Sequence, residues 1–179
     1  MMDHGRMPER LALGSVETPL GNVWVAASEV GVRVMTVPDA TEDECLAVAR
    51  KRGSEIVECE ERNAVLDLAL GEVRNYFAGT LQVFTVPLDL RGTEFQQRVW
   101  SAVAAVPYGE TITYREIADR IGAPQAFRAV GAANGANPAA IIVPCHRIIG
   151  SSGGLRGYGG GLHQKRALLD LEAAHIDLR

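Results

Sequence analysis

Seven of the twelve residues from 150 to 161 are glycine, and this stretch constrains the chain more than any other. Glycine loses the most backbone freedom on ordering, so neither a helix nor a strand is favoured there. What it does permit is close approach of backbone to a ligand. Just upstream, Val143-Pro144-Cys145-His146-Arg147 forces a sharp turn, because Pro144 fixes its own φ and pushes Val143 extended. Residues 139–143 read as a short buried extended run feeding that turn. The glycine stretch lacks the Gly-Lys-Ser/Thr ending of a Walker phosphate loop, and no Rossmann fingerprint stands in a strand–helix context. A flexible linker is the alternative reading; Arg156 and Tyr158 inside the stretch favour a binding lip.

The first half opens with apolar stretches at 11–16, 23–27 and 32–37. Thr18-Pro19-Leu20-Gly21 and Gly31 separate them, which predicts a three-stranded antiparallel meander. Thr41 with Glu44 forms a capping box for a helix to Arg52, and residues 56–59 suit a short strand. Residues 63–78 carry Val65, Leu66, Leu70, Val73 and Phe77 at helical spacing, with Gly79 as a stop. Residues 84–90 run extended into Arg91-Gly92, a linker. In the second half Thr93 with Gln96 opens a helix through Val99, Trp100 and Val103, ended by Pro107 and Gly109. Thr113 with Glu116 caps a short helix over 114–121, and Pro124 starts another to about residue 133. Joined by Gly122-Ala123-Pro124, these two have the length and turn chemistry of a helix-turn-helix. An αα-hairpin that only fills a core stays open. Asn134-Gly135-Ala136-Asn137-Pro138 is a turn cluster, and residues 162–174 form the last helix.

A chain of 179 residues buries one good core or two small ones. No apolar run nears the ~20 residues of a membrane span, and the first ten residues lack the apolar stretch of a signal peptide. Cys45, Cys59 and Cys145 do not read as a disulfide framework, which places the chain in a reducing cytoplasm and leaves Cys145 free. His4, His146, His163 and His175 show no ligand spacing with the cysteines, so no metal and no cofactor is expected. Charge divides unevenly. Residues 1–90 hold 8 Lys and Arg against 15 Asp and Glu, a net −7, while residues 91–179 hold 10 against 7, a net +3. A polyanion would prefer the second half.

Cys145 follows the Pro144 turn, which can hold its sulfur rigidly at a pocket. A free thiol titrates near 8.5, so at neutral pH nucleophilic use needs a base. His146 supplies an imidazole, although neighbouring side chains of an extended segment face opposite ways and a bridging water suits the pair. The imidazole in turn needs an acidic orienter: Glu172, Asp170 and Asp177 are all candidates. A buried inert thiol and a structural histidine are the bland alternatives.

Pro144-Cys145-His146-Arg147, the glycine loop with Tyr158, and Leu168-Leu169 with Glu172 resemble the O6-alkylguanine-DNA alkyltransferases, or methylated-DNA–protein-cysteine methyltransferases. The segment from Arg91 to Trp100, Pro107-Tyr108-Gly109-Glu110-Thr111, Tyr114, Arg128-Ala129-Val130-Gly131 and Asn137-Pro138 fit the same family. The strong resemblance covers roughly residues 88–173.

The resemblance implies a two-domain α/β (α+β) protein. Residues 1–90 would form a ribonuclease-H-like support domain with an antiparallel sheet. Residues 91–179 would form a mainly helical, winged-helix-like domain with a helix-turn-helix that binds DNA and accepts the alkyl group. It further implies repair of double-stranded DNA by stoichiometric, irreversible transfer of an alkyl group from O6-alkylguanine to Cys145, with O4-alkylthymine left open. His146 would deprotonate the thiol through a water, oriented by Glu172, and Asn137 would brace the turn. Tyr114 would protonate the leaving base. The helix around 126–133 would enter the minor groove, Arg128 filling the gap of the extruded nucleotide, with Arg115 and Ser151 also on the DNA. Tyr158, Ile148, Gly159 and Gly160 would line the base pocket and Lys165 would secure its lid. Gly160 is expected to leave room for groups as large as benzyl. The molecule is expected to act as a monomer, with cooperative binding along DNA open. The main rival is a non-catalytic alkylation-damage-binding protein, against which the presence of Cys145 argues. A transcription regulator and a cysteine hydrolase are further rivals.

Overall fold

The structure, a computed structural model, describes residues 10–52 and 63–176; the strand expected over 56–59 lies outside them. Strands β1 (Ala12–Thr18), β2 (Gly21–Ala27) and β3 (Val32–Met35) form the antiparallel meander in the order β1-β2-β3. The β1–β2 hairpin pairs Val16 with Val23 and Thr18 with Gly21. Gly21 has φ 107°, and a Cβ there would fall 2.7 Å from the backbone of Asp39, so only glycine closes this turn.

Strand side chains alternate between the two faces. Leu11, Ala26 and Val34 pack with Cys45 and Ala49 of α1 (Glu42–Lys51). Ala12, Val16, Val23, Val25 and Met35 face the other way, towards Leu66, Ala69 and Val73 of α2 (Ala64–Phe77). The capping boxes at Thr41, Thr93 and Thr113 are all present. Asn63 caps α2 by accepting from the Leu66 amide.

The second apolar face does not end at the sheet. One continuous cluster runs from it through Tyr76 and Phe77 to Val99, Trp100, Val103, Ile117, Val130, Ile148 and Leu168. These last belong to α3 (Glu94–Ala104), α4 (Tyr114–Arg120), α5 (Phe127–Gly135), the two-residue strand β5 (Ile148–Ile149) and α6 (Gly161–Ala174). β5 pairs in parallel with β4 (Ile112–Thr113), a pairing too short to leave a sequence signature. The α4–α5 pair has helix-turn-helix form, with Gly122 at φ 68° in the turn. Pro124 opens a separate 3₁₀ turn, Pro124–Ala126, ahead of α5. The Trp100 indole N–H donates to the Ala133 carbonyl (2.8 Å) and fastens α3 to α5.

The exposed edge of β3 is covered. Val32 and Asp89 exchange backbone bonds with their neighbours (Val32 N–H to Pro87 O, 2.8 Å; Asp89 N–H to Val32 O, 2.9 Å). Met35 N–H donates to Pro138 O and Ala140 N–H to Met35 O, each at 2.9 Å. The segment leading to Cys145 is therefore tied to the sheet of the N-terminal half. No helix among the described residues is long and apolar enough to cross a membrane.

Candidate active site

Residues 139–143 are not the extended run that their composition suggests. Only Ala139 forms a bridge, to Met35. Ile142 N–H then donates to Ala140 O across Ile141, whose φ is 73°, a γ-turn centred on a β-branched residue in the left-handed region. Such a residue is strained and persists only when its surroundings over-determine it. Asn137 supplies that constraint: its Nδ2 donates to Val143 O (2.8 Å) and its Oδ1 accepts from Ala139 N–H (3.0 Å). Periodicity cannot distinguish a coiled buried segment of this length from a strand. An inverse γ-turn follows at Pro144 (φ −78°, ψ 67°), with Cys145 N–H donating to Val143 O at 2.7 Å.

Cys145, His146 and Arg147 form a single 3₁₀ turn rather than an extended pair. Burial pushes the Cys145 thiol up, while a hydrogen bond from Asn137 and the charge of Lys165 act the other way. The thiol is thus the resting form. His146 is fully buried and its Nε2 stands 2.8 Å from Glu172 Oε1. Burial lowers its pKa, against the pull of Glu172, so at neutral pH this is a hydrogen bond from neutral imidazole to carboxylate rather than an ion pair. A carboxylate only accepts, which puts the imidazole proton on Nε2. Nδ1 is buried without a hydrogen-bond partner, a base with nothing yet to take.

Glu172 is fully buried. Burial raises its pKa, but hydrogen bonds from His146 and Arg147 outweigh that and hold it at about 2. Arg147 donates from Nε to Oε2 (3.0 Å) and from Nη2 to Oε1 (2.8 Å), and the Gly109 N–H reaches Oε2 (3.0 Å). Tyr76, from α2, donates to Oε1 at 2.7 Å. Asp170 is exposed and Asp177 lies outside the described residues. Arg147, Gly109 and Tyr76 were given no role by sequence reasoning.

Lys165 is fully buried and donates to Ile148 O (2.5 Å) and Arg156 O (2.8 Å), tying the middle of the glycine loop to the strand that precedes it. Burial lowers its ammonium to about 8. Tyr158 turns its hydroxyl inward without a partner, and burial holds its proton on, the more so when Cys145 becomes a thiolate. Tyr114 is half-buried, its hydroxyl likewise held protonated by burial and then by Cys145. Ile148 is fully buried in the core, so what it can offer a pocket is backbone. Gly159 and Ser151 are exposed. At Gly160 a Cβ would fall 1.9 Å from Gln164 Oε1 and 3.4 Å from Val37, so glycine there lets the loop pack closely on α6.

Arg128 and Arg115 lie apart from this cluster, on the outside of the helix-turn-helix, both exposed. Their guanidinium groups sit 5.7 and 5.2 Å from the centre of the Phe127 ring. The exposed stripe of α5 is otherwise Ala129, Ala132 and Gly135, a face that another surface can approach closely.

Two models of one family match this chain. The 6-O-methylguanine DNA methyltransferase ribonuclease-like domain covers residues 11–90, and the DNA binding domain of the same enzyme covers 94–174. A methylated-DNA–protein-cysteine methyltransferase of Methanosarcina barkeri is 42% identical over 161 residues, 90% of this chain and 96% of its own. The chain belongs to the 6-O-methylguanine DNA methyltransferase family. The Mycobacterium bovis methylated-DNA–protein-cysteine methyltransferase is 67% identical over 104 residues, 58% of this chain, and that match spans only 63% of the relative. Among solved structures, Mycobacterium tuberculosis OGT in complex with DNA has a TM-score of 0.77 and 45% identity, covering 92% of this chain and 94% of its own. The O6-methylguanine-DNA methyltransferase of Pyrococcus kodakaraensis has a TM-score of 0.59 at 25% identity, covering 90% and 98%. The ribonuclease-like and DNA-binding parts of the family fold correspond to the meander with α1 and α2 and to the helical half.

Proposed function

We propose that this methyltransferase-family chain repairs DNA by moving the alkyl group of O6-alkylguanine onto Cys145. One observation carries the reading: a resting thiol on a doubly turned segment, followed by a buried imidazole whose Nε2 is tied to Glu172 while Nδ1 is left bare. His146 takes the Cys145 proton through a water. The thiolate attacks the alkyl carbon, an S–C bond forms as the C–O6 bond breaks, and guanine leaves with a proton from Tyr114. The thioether does not hydrolyse, so each molecule acts once.

The target carbon faces the base-pair interior, so the nucleotide must leave the stack at a cost of about a few kcal/mol. Arg128 at the start of the small-residue stripe of α5 suits a minor-groove wedge that holds the gap open, with Arg115 and Ser151 on the flanking backbone. Tyr158, Gly159 and the backbone at Ile148 receive the extruded base, and Lys165 keeps the loop closed over it. Residues 1–90 serve as support domain and residues 91–179 as the DNA-binding and acceptor domain. One chain acts at a time on double-stranded DNA in the cytoplasm.

Intact mass after incubation with duplex DNA bearing one O6-methylguanine tests this. A gain of one methyl group, absent in Cys145→Ser, is expected. Tight binding with no gain would reduce the protein to a damage binder, and neither binding nor gain would end the repair reading.

A further inference from the structure

Tyr76 belongs to α2, in the N-terminal half, yet its hydroxyl reaches the centre of the active-site network. The ring is fully buried and held by Phe77, Phe84 and Tyr108 at centroid distances of 5.3, 5.6 and 6.0 Å. The hydroxyl lies 2.7 Å from Glu172 Oε1 and 3.5 Å from His146 Nε2. We propose that Tyr76 is a positioning residue for alkyl transfer, donating to Glu172 in competition with His146 and so setting how strongly the imidazole holds its proton. The proposal rests on the alkyl-transfer reading above.

The competition follows from counting donors. Oε1 has two lone pairs, yet it receives Tyr76 Oη at 2.7 Å, His146 Nε2 at 2.8 Å and Arg147 Nη2 at 2.8 Å. Each further donor reduces the negative charge that Nε2–H meets. A weaker carboxylate partner stabilises imidazolium less, which leaves Nδ1 neutral and able to accept at lower pH. The phenol itself stays protonated at any working pH, because burial and the adjacent Glu172 push its pKa well up. Its oxygen also faces Nε2 as an acceptor, but 3.5 Å is at the outer limit for such a bond. The donor role therefore dominates. The charged and titratable groups around the hydroxyl are His146 and Arg147 on the 3₁₀ turn, Glu172 on α6 and Tyr108 after α3, with Lys165 acting on His146 from a distance. Arg147 cannot replace the lost donation, since it already spends Nε and Nη2 on Glu172 and Nη1 on Val106 O.

The test is the single-turnover rate at saturating O6-methylguanine duplex from about pH 5 to 9, across the range where imidazole titrates. In Tyr76→Phe the acid limb is expected to move up by about one unit, the scale of one hydrogen bond to a charged group, with methyl transfer retained on the plateau. Tyr108→Phe is the comparison. It removes a buried hydroxyl of the same aromatic cluster that has no hydrogen-bond partner, and its acid limb is expected to stay in place. An unmoved limb in folded Tyr76→Phe, or an equal movement in both variants, overturns the proposal. If Tyr76→Phe does not fold, 3-fluorotyrosine at position 76 keeps the ring and strengthens the donor; the limb must then move down. Imidazole ¹⁵N shifts of the unsubstituted protein must show the proton on Nε2, and a proton on Nδ1 overturns the proposal by itself. Failure of the unsubstituted protein to gain a methyl group would instead sink the alkyl-transfer reading, with the ¹⁵N measurement still reporting on Tyr76.

Discussion

Two buried groups of the site tie its chemistry to the acid stability of the fold. His146 titrates below its ordinary 6.5 because of burial, and Glu172 is held at about 2 against an ordinary 4.5. In both cases the unfolded chain takes up protons at a pH where the folded chain does not, so stability falls as pH falls. The loss begins below about 6.5 with His146 and continues from about 4.5 down to about 2 with Glu172. Urea midpoints measured against pH are expected to decline through both windows. Glu172→Gln should flatten the lower window and cost about 3–5 kcal/mol at neutral pH, because Arg147 is left as a buried charge without its partner. A lower-window slope as steep as that of the unsubstituted protein would contradict the assignment. The residues alone left Glu172 beside Asp170 and Asp177, and the family resemblance made the choice. The spacing that decides it is Gln164, Leu168 and Glu172, all buried at intervals of four on α6, whereas Asp170 falls on the wet side. Tyr76 left a quieter trace: it stands three residues after Val73 on the core face of α2, and a phenol on a core face needs a polar partner.

Caps and turns made the helices and the meander readable, because each rests on local chemistry that the sequence carries. The segment before Cys145 was not readable. Its shape depends on Asn137 replacing backbone partners and on Met35 of a distant strand, neither of which alters the local apolar pattern. Helix α5 shows a similar limit. Its Ala and Gly residues announced a face that packs closely, but nothing local announced that Phe127 would take Arg115 and Arg128 against its ring. A cation over an aromatic face is worth about 0.5–1 kcal/mol when exposed, and here it also holds two like charges near one another and preorganises the guanidinium assigned to the wedge. Phe127→Ala is therefore expected to weaken binding to O6-methylguanine duplex by about two- to fivefold, the equivalent of that energy. The transfer rate at saturating DNA should not change. Binding isotherms and single-turnover rates separate the two. A loss confined to the saturated rate would mean that Phe127 acts on the chemistry and not on the docking of the helix.

At the scale of the whole molecule, the two family domains are not energetically separate. One apolar cluster spans both, beside the smaller one under α1, and polar ties reinforce the junction at four places. Tyr76 reaches Glu172, Gln164 Nε2 donates to Pro38 O at 2.8 Å, and Met35 exchanges backbone bonds with 138–140. The Arg52 side chain, beyond the end of α1, donates to Arg91 O and Ala136 O and lies 5.1 Å over the Trp100 ring. A charge asymmetry of −7 against +3 pointed a polyanion to the second half, but charge is a surface property and says nothing of where cores meet. A shared core makes unfolding a single cooperative event. The two tryptophans allow a direct check, since Trp24 lies on β2 and Trp100 on α3. Trp24→Phe leaves a reporter in the helical half and Trp100→Phe leaves one in the sheet. In each variant the fluorescence transition in urea should coincide with loss of helical circular dichroism, each variant having its own single midpoint. If the Trp24 signal were lost at lower urea than the helical signal within one sample, the halves would melt separately. Tyr76 could then leave Glu172 while the acceptor half stayed folded, and an acceptor half made alone should still transfer the methyl group. Coincident transitions instead require that truncation at residue 90 abolish transfer along with folding, because the helical half would lose its share of the common core and α3 the Arg52 cover over Trp100.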